Sequence, residues 1–377
     1  MYYNPAVTYL PWKPYNDGTT TCPSGTYSSP VCTPGNASTT MTLSHPVYGS
    51  ATSVSSMNLF SLYTGLDSSS NPQTGFIFRM QPGMIMPALP TTGVPTGTTK
   101  FRLCSSSACG AWLAPGTAPW TTSSSNACLI NTTITSCANN MGMPVGTTIN
   151  MTATPSGYSV AQPYSYVEAA ITYTPGTYWK VDSATCGTMA SPVAANLTNG
   201  TCAYGPDGQL LSRVDLRTAA GPFTVPAGRT DCAGGTSCTL AEERQNFANW
   251  FQYYRKRTHM VEAALGNAFD GLSGVRAGYF VFSNMSNLTM YDFDSGSNTT
   301  NGTRLIGALY HVTGNATAGT PTRKAMDYLG QQYRRTDAAA PITNYCQFNA
   351  GLVITDGFAN AAGSSPSYSV SYGNYWR

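Results

Sequence analysis

Charge is what this sequence has least of. Lys, Arg, Asp and Glu together make up 9% of its 377 residues, against roughly a quarter of an average domain. The net charge of +3 is too small, and too scattered, for a nucleic-acid partner, which needs Lys and Arg clustered on one face. The one basic run, Arg255-Lys256-Arg257, falls inside a helical pattern and reads as a solvated helix face. Histidine is also scarce: His45, His259 and His311 stand far apart. No apolar run is long enough to span a membrane, and no signal peptide is recognisable at Met1, so any export signal is expected to be removed or to lie upstream. No glycine-rich phosphate loop, nucleophile elbow, HExxH motif or workable Ser/His/Asp order occurs, which leaves little basis for catalysis.

Gly (37), Pro (25) and many Ser, Thr and Asn residues take the place of charge. That composition favours turns, loops and edge strands over long helices. Disorder is the competing reading of so polar a chain, and the 24 Tyr among 11% aromatics argue against it. The eleven cysteines point to an oxidising compartment. Pairing nearest neighbours gives Cys22–Cys32, Cys104–Cys109, Cys128–Cys137, Cys186–Cys202 and Cys232–Cys238, and leaves Cys346 over. Sequence does not prove connectivity, and Cys346 is either a free thiol or bonded outside this scheme. Without a C-x-x-C, and with every His remote from a Cys pair, zinc is the weaker reading.

Charge distribution places a boundary near residue 239. Residues 1–240 carry 15 charged side chains, with none between Arg102 and Glu168, and residues 241–377 carry 20 in little more than half the length. The first region offers short strand candidates at 75–80, 100–103, 165–173 and 178–181, broken by Pro- and Gly-rich turns. The second opens on the capping-box pattern Thr239-Leu-Ala-Glu242, followed by an apolar stripe at Phe247, Trp250, Phe251, Tyr254, Val261, Leu265 and Phe269. This predicts one long helix, closed by Gly271. The run 275–282 reads as a strand buried on both faces, 305–312 as a short helix or strand, and Thr320-Pro321 as the start of a helix to 335 with Ala325, Met326, Leu329 and Tyr333 inward. Residues 350–355 then predict another buried strand ending at Asp356-Gly357. Helix, strand, helix, strand predicts an α/β open sheet.

Several stretches carry a resemblance. They are Glu243-Arg-Gln-Asn-Phe-Ala-Asn-Trp-Phe-Gln-Tyr-Tyr254, Gly319-Thr-Pro-Thr-Arg-Lys-Ala-Met-Asp327, Cys346-Gln-Phe348 and Val353-Ile-Thr-Asp-Gly357, with Tyr2-Tyr-Asn-Pro5 and Tyr9-Leu-Pro-Trp12 at the start. In order and spacing they resemble the PilY/PilC tip proteins of type IV pili, which carry a von Willebrand factor A-like (VWA-like) domain. The resemblance implies an incomplete VWA-like doubly wound sheet: residues 1–12 follow a first strand expected upstream, 13–238 form a β-rich, disulfide-stapled insertion, and 239–377 form the α/β core. It also implies a non-enzymatic adhesin and pilus-biogenesis factor at the pilus tip or outer cell surface, exported through the periplasm. Its partners would be minor pilins and a host or abiotic surface. The family's C-terminal β-propeller has no counterpart here.

In VWA domains a metal-ion-dependent adhesion site holds a hard cation, Mg²⁺ or Ca²⁺, through oxygen ligands. Thr320 and Asp356 match two of its three elements, and the third, D-x-S-x-S, is absent. Asp294-Ser-Gly-Ser297 is its nearest look-alike. Two ligands imply weak cation binding at most. Local readings stand beside the metal: Thr320 as a helix N-cap and Asp356 as a turn residue. Asp292-x-Asp294-x-Gly296 has part of a calcium-loop spacing without the following Glu. The other functional reading is a structural surface or filament-associated protein whose VWA-like domain binds no metal.

Overall fold

The computed structural model describes residues 3–23, 25–42, 46–47, 56–64, 77–80, 100–105, 107–113, 120–122, 135–137, 147–149, 166–170, 172–198, 201–204, 209–282, 285, 288–293, 298–312 and 320–355. Among them, helices and small antiparallel sheets alternate along the chain. The strand candidates of the first region form close to where composition places them. Tyr166–Ala170 lies between Ile77–Met80 and Lys100–Cys104, and Leu210–Asp215 lies between Thr177–Val181 and Cys202–Tyr204. Each sheet has two or three strands, so each depends on what packs against it.

The capping box forms as its pattern predicts. Thr239 N donates to Glu242 Oε2 (2.7 Å), Glu242 N donates to Thr239 Oγ1 (3.3 Å), and the helix Leu240–Tyr253 follows. The long helix expected beyond it is two helices, Leu240–Tyr253 and Arg257–Phe269. Arg255 sits at the break and is half-buried, not on a solvated face. Its Nη1 donates back to the Phe251 and Gln252 carbonyls (2.5 and 3.4 Å), satisfying acceptors that a helix end leaves open. The break also shifts the phase of the buried face. Val261, expected inward, is 37% exposed, and His259, Glu262, Ala263 and Gly266 are buried instead. Gly271 does take a left-handed conformation (φ 76°) after the second helix.

A third helix, Asn298–Tyr310, covers the position where helix and strand were both open, and a fourth runs Thr322–Tyr333. On the fourth, Ala325 is buried as expected, while Met326 is half exposed.

The two runs read as doubly buried strands fold otherwise. Only Val275–Ala277 is a strand, paired antiparallel with Tyr291–Phe293. Residues 350–355 form no strand, and Leu352 and Ile354 are 82% and 49% exposed. A buried parallel strand needs hydrogen-bonded neighbours along its length and cover on both faces. Here the segment runs instead against the fourth helix, where the Tyr333 hydroxyl donates to the Ala350 carbonyl (2.5 Å) and Gly351 meets Leu329. Every pairing among the described residues is antiparallel, and a doubly wound sheet is absent from them.

The main core gathers residues from remote parts of the chain. Tyr3, Trp12, Tyr15, Cys32, Leu59, Tyr178 and Leu216 pack with Phe247, Ala248 and Tyr253 of the first long helix and with Ile306 and Tyr310 of the third. Asparagines on the 240–253 helix hold backbone that belongs to no sheet. Asn246 Oδ1 accepts from Tyr9 N (2.7 Å) and its Nδ2 donates to Val7 O (2.9 Å). Asn249 Oδ1 accepts from Ala37 N (2.8 Å) and its Nδ2 donates to Tyr9 O (2.9 Å). Buried backbone polar groups need partners, and two helix side chains supply them for two separate segments.

Candidate functional site

Four of the five expected disulfides are formed: Cys22–Cys32, Cys104–Cys109, Cys186–Cys202 and Cys232–Cys238. Cys128 lies outside the described residues, and so does any bond between it and Cys137. Cys346 is a free, exposed thiol. Cys104, Cys109 and Glu168 bring ligand-type atoms within 4.8 Å of one another. They do not fit a metal as they stand. The two sulfurs are joined as a disulfide, not present as thiolates, and Glu168 accepts from Arg102 Nε and Nη2 (2.8 and 2.6 Å).

The predicted adhesion-site pair is only half placed. Thr320 precedes Pro321, which itself occupies the cap position of the Thr322–Tyr333 helix, and the Thr320 carbonyl accepts from Thr322 N (2.9 Å). Asp356 lies outside the described residues, as do Asp294–Ser297. Asp292, the first residue of the calcium-loop spacing, is ion-paired with Arg276.

A polar cleft of about 400 Å³ opens beside the sheet of Thr177–Val181, Leu210–Asp215 and Cys202–Tyr204. Lys180, Asp182, Thr185, Ser212, Arg213 and Asp215 line it, together with Ala219–Gly221 and Phe223. By register Lys180 and Cys202 both face Ser212 across the ladder, while Arg213 faces Trp179. Beneath, Cys186, Cys202 and Leu210 make a small apolar cluster, in which the 186–202 disulfide fastens the Ser183–Cys186 turn to the sheet.

Both carboxylates are occupied by protein donors. Asp182 caps that turn: its Oδ1 accepts from Thr185 N (3.0 Å), and its Oδ2 accepts from Thr185 Oγ1 (2.8 Å) and Ser212 Oγ (3.3 Å). Partial burial works to raise its pKa but is outweighed by the Thr185 bonds, the nearby Lys180 ammonium and Ser212, which hold it below the usual carboxylate range. Asp215 Oδ1 accepts from Arg217 N (2.9 Å), and its Oδ2 faces Arg213 Nη2 (3.3 Å), Thr174 Oγ1 (3.5 Å) and Arg217 Nη2 (3.7 Å). Burial lowers the pKa of the Arg213 guanidinium, against the raising effect of Asp215. The Lys180 ammonium acts on Asp182 through its charge and makes no ion pair or side-chain hydrogen bond among the described residues.

No histidine lines the cleft. His311 meets Asp17 (3.2 Å), His259 is buried edge-on to Trp12, and His45 lies outside the described residues. Sequence patterning did not single out the cleft residues. One signal was there: six of the fifteen charges in residues 1–240 fall between Lys180 and Arg217.

A second arrangement joins two of the stretches quoted for the resemblance. Tyr3 OH donates to Glu243 Oε1 (2.8 Å), Trp12 Nε1 donates to Tyr253 O (2.9 Å), and Tyr254 OH donates to Leu10 O (2.8 Å). Tyr3 also stacks edge-on against Phe247 and Trp250. Neither a family model, nor a curated protein, nor a solved structure matches the chain.

Proposed function

We propose that this protein is a non-enzymatic adhesin and pilus-biogenesis factor of the PilY/PilC kind, carried at a type IV pilus tip or on the outer cell surface. The observation that carries the reading is the joining of its two separated stretches. Residues 3–12 and 243–254, more than two hundred positions apart, pack as one unit through the aromatic and asparagine contacts above. That is how a stretch following a first strand and a domain helix would sit within one VWA-like domain interrupted by an insertion.

Four disulfides among the described residues fit an oxidising, extracytoplasmic compartment. No described helix is long and apolar enough to cross a membrane. In this reading Thr320 and Asp356 contribute hydroxyl and carboxylate oxygens to a Mg²⁺ or Ca²⁺ site. The partners are minor pilins on one side and a host or abiotic surface on the other.

Deleting the gene in the source bacterium tests the reading. Surface pili counted by electron microscopy and cells attached under flow should both fall, and expression of the intact protein should restore them. Unchanged piliation and unchanged attachment would overturn it.

A further inference from the structure

Of the four disulfides described, Cys104–Cys109 differs from the others in where its sulfurs sit. Cys186, Cys202, Cys232 and Cys238 are all buried, and Cys22, half-buried, packs with Cys32 against the main core. Cys104 is buried too, but Cys109 is half-buried on a turn whose Ser107 and Ala108 are exposed. A thiol arriving from solvent therefore reaches Cys109 rather than Cys104. The bridge also closes the shortest loop, with a sequence separation of 5 against 6, 10 and 16. A disulfide constrains the unfolded chain less as its loop shortens, so by this effect the fold loses least when this one opens.

Polar groups stand on the sulfurs as well. Lys100–Cys104 and Tyr166–Ala170 pair antiparallel, with Tyr166 opposite Cys104 and Glu168 opposite Arg102. Positions two apart on a strand share a face, so these four side chains lie together. The Tyr166 hydroxyl is 3.7 Å from Cys109 Sγ, and because a bridged sulfur carries no hydrogen, the hydroxyl donates. Glu168 brings a carboxylate oxygen within 4.8 Å of both sulfurs, and Arg102 compensates its charge through two bonds to Oε2. A hydroxyl donor on a sulfur favours its thiolate, the form that reacts. Exposed disulfides are the labile ones, and buried structural ones resist exchange.

We propose that Cys104–Cys109 is a redox switch, opened by a dithiol that attacks Cys109 and closed again by the Cys109 thiolate that Tyr166 holds. The incoming thiolate bonds to Cys109 Sγ as the bond to Cys104 breaks. Cys104 Sγ leaves with the electron pair and takes a proton from water. The second thiolate of the dithiol then attacks its own sulfur in the mixed disulfide, and Cys109 leaves as a thiolate that accepts from Tyr166. Two electrons pass from the dithiol, which becomes a disulfide, to the bridge, which becomes two thiols. Opening removes the covalent closure of the turn that carries Trp112 to the Arg102 guanidinium, 4.5 Å from its ring. The switch rests on this bridge and its neighbours, not on the filament reading, and each stands if the other fails.

The test exposes the oxidised full-length protein to dithiothreitol near neutral pH, quenches with acid at intervals, alkylates, and maps the labelled cysteines by mass spectrometry. Cys346, free from the outset, serves as the internal standard for labelling. Cys104 and Cys109 should become labelled together, at least about tenfold faster than any other described pair. Circular dichroism should stay unchanged meanwhile, and oxidised glutathione should close the pair again. Tyr166→Phe, which removes the hydroxyl alone, should move the pH dependence of Cys109 alkylation in the reduced protein to higher pH. Another described disulfide opening as fast, or all four opening together only as circular dichroism is lost, would overturn the proposal. So would a Tyr166→Phe protein with the parent's pH profile.

Discussion

The Arg229 side chain is fully buried, and oxygens of Asp231, Glu243 and the distant Pro5 hold its guanidinium. Nε and Nη2 donate to the two Asp231 oxygens (2.6 and 2.7 Å), and Nη1 donates to Pro5 O (2.7 Å) and Glu243 Oε2 (3.0 Å). Burial works to lower the arginine pKa, and the hydrogen bonds to Asp231 with the charge of Glu243 outweigh it and raise it. Desolvation and the adjoining Glu243 push the Tyr3 and Tyr178 hydroxyls up, so both stay neutral donors. Breaking a buried pair by removing one partner costs far more than the pair contributes, because the other charge stays behind. Arg229→Met should therefore lower stability by about 3–5 kcal/mol in chemical denaturation. A loss below about 1 kcal/mol would mean that Glu243 is not the buried anion described here.

Asp231 gives this cluster a pH signature. Burial tends to raise its pKa, but hydrogen bonds from Arg229 and Thr8 prevail and hold it below the ordinary value. As pH falls below about 4 the unfolded chain takes up this proton first, so the contribution of Asp231 is present above that pH and is lost as pH drops through its folded value. Thermal midpoints measured from pH 6 to 2.5 should decline more steeply in the parent than in Asp231→Asn. Parallel declines would contradict the assignment.

Helices were the elements most legible in the sequence. Thr239 and Glu242 announced the start of the first long helix, and Gly271 the end of the second. The break between them was not legible, because Tyr254-Arg255-Lys256 contains neither Gly nor Pro. It is stabilised by the backward reach of Arg255 to carbonyls of its own helix, an interaction that propensity does not encode. The apolar runs at 275–282 and 350–355 misled for a related reason. Periodicity marks a segment as apolar, and partners outside it decide whether it pairs as a strand.

Gly307 offers a test at this scale, since propensity and packing predict opposite signs. In an exposed helix, Gly→Ala stabilises by about 1 kcal/mol. In Asn298–Tyr310, however, a Cβ on Gly307 would run into the Asn16 carbonyl, where Asn16 N also donates to Thr303 O (2.9 Å). Gly307→Ala should lower the thermal midpoint. A rise would show that the N-terminal segment does not press on this helix.

Across the whole molecule, charge density marks where the long helices begin, while the core draws on both sides of that mark. Tyr15, Cys32 and Leu59 share one cluster with Phe247 and Tyr310. Such contacts join residues hundreds of positions apart, so no local window could show them. The cleft was hidden in the same way, because Lys180, Asp182 and Ser212 come together only once the strands have paired antiparallel. Short-range cysteine pairing, by contrast, was readable, since sequence separations of 5 to 16 residues left few competitors. With Cys128 and Cys137 bonded as their spacing predicts, a thiol-reactive reagent should label one cysteine per unreduced chain, Cys346. Three labelled cysteines would show the fifth pair to be open.

As proposed above, this disulfide-stapled protein acts outside the cell at a filament tip. Immunogold electron microscopy of intact, unpermeabilised cells, with antibody raised against the whole protein, tests it most directly. Gold at the tips of surface filaments, absent from cells lacking the gene, is the predicted result. Gold seen only after permeabilisation would contradict the account.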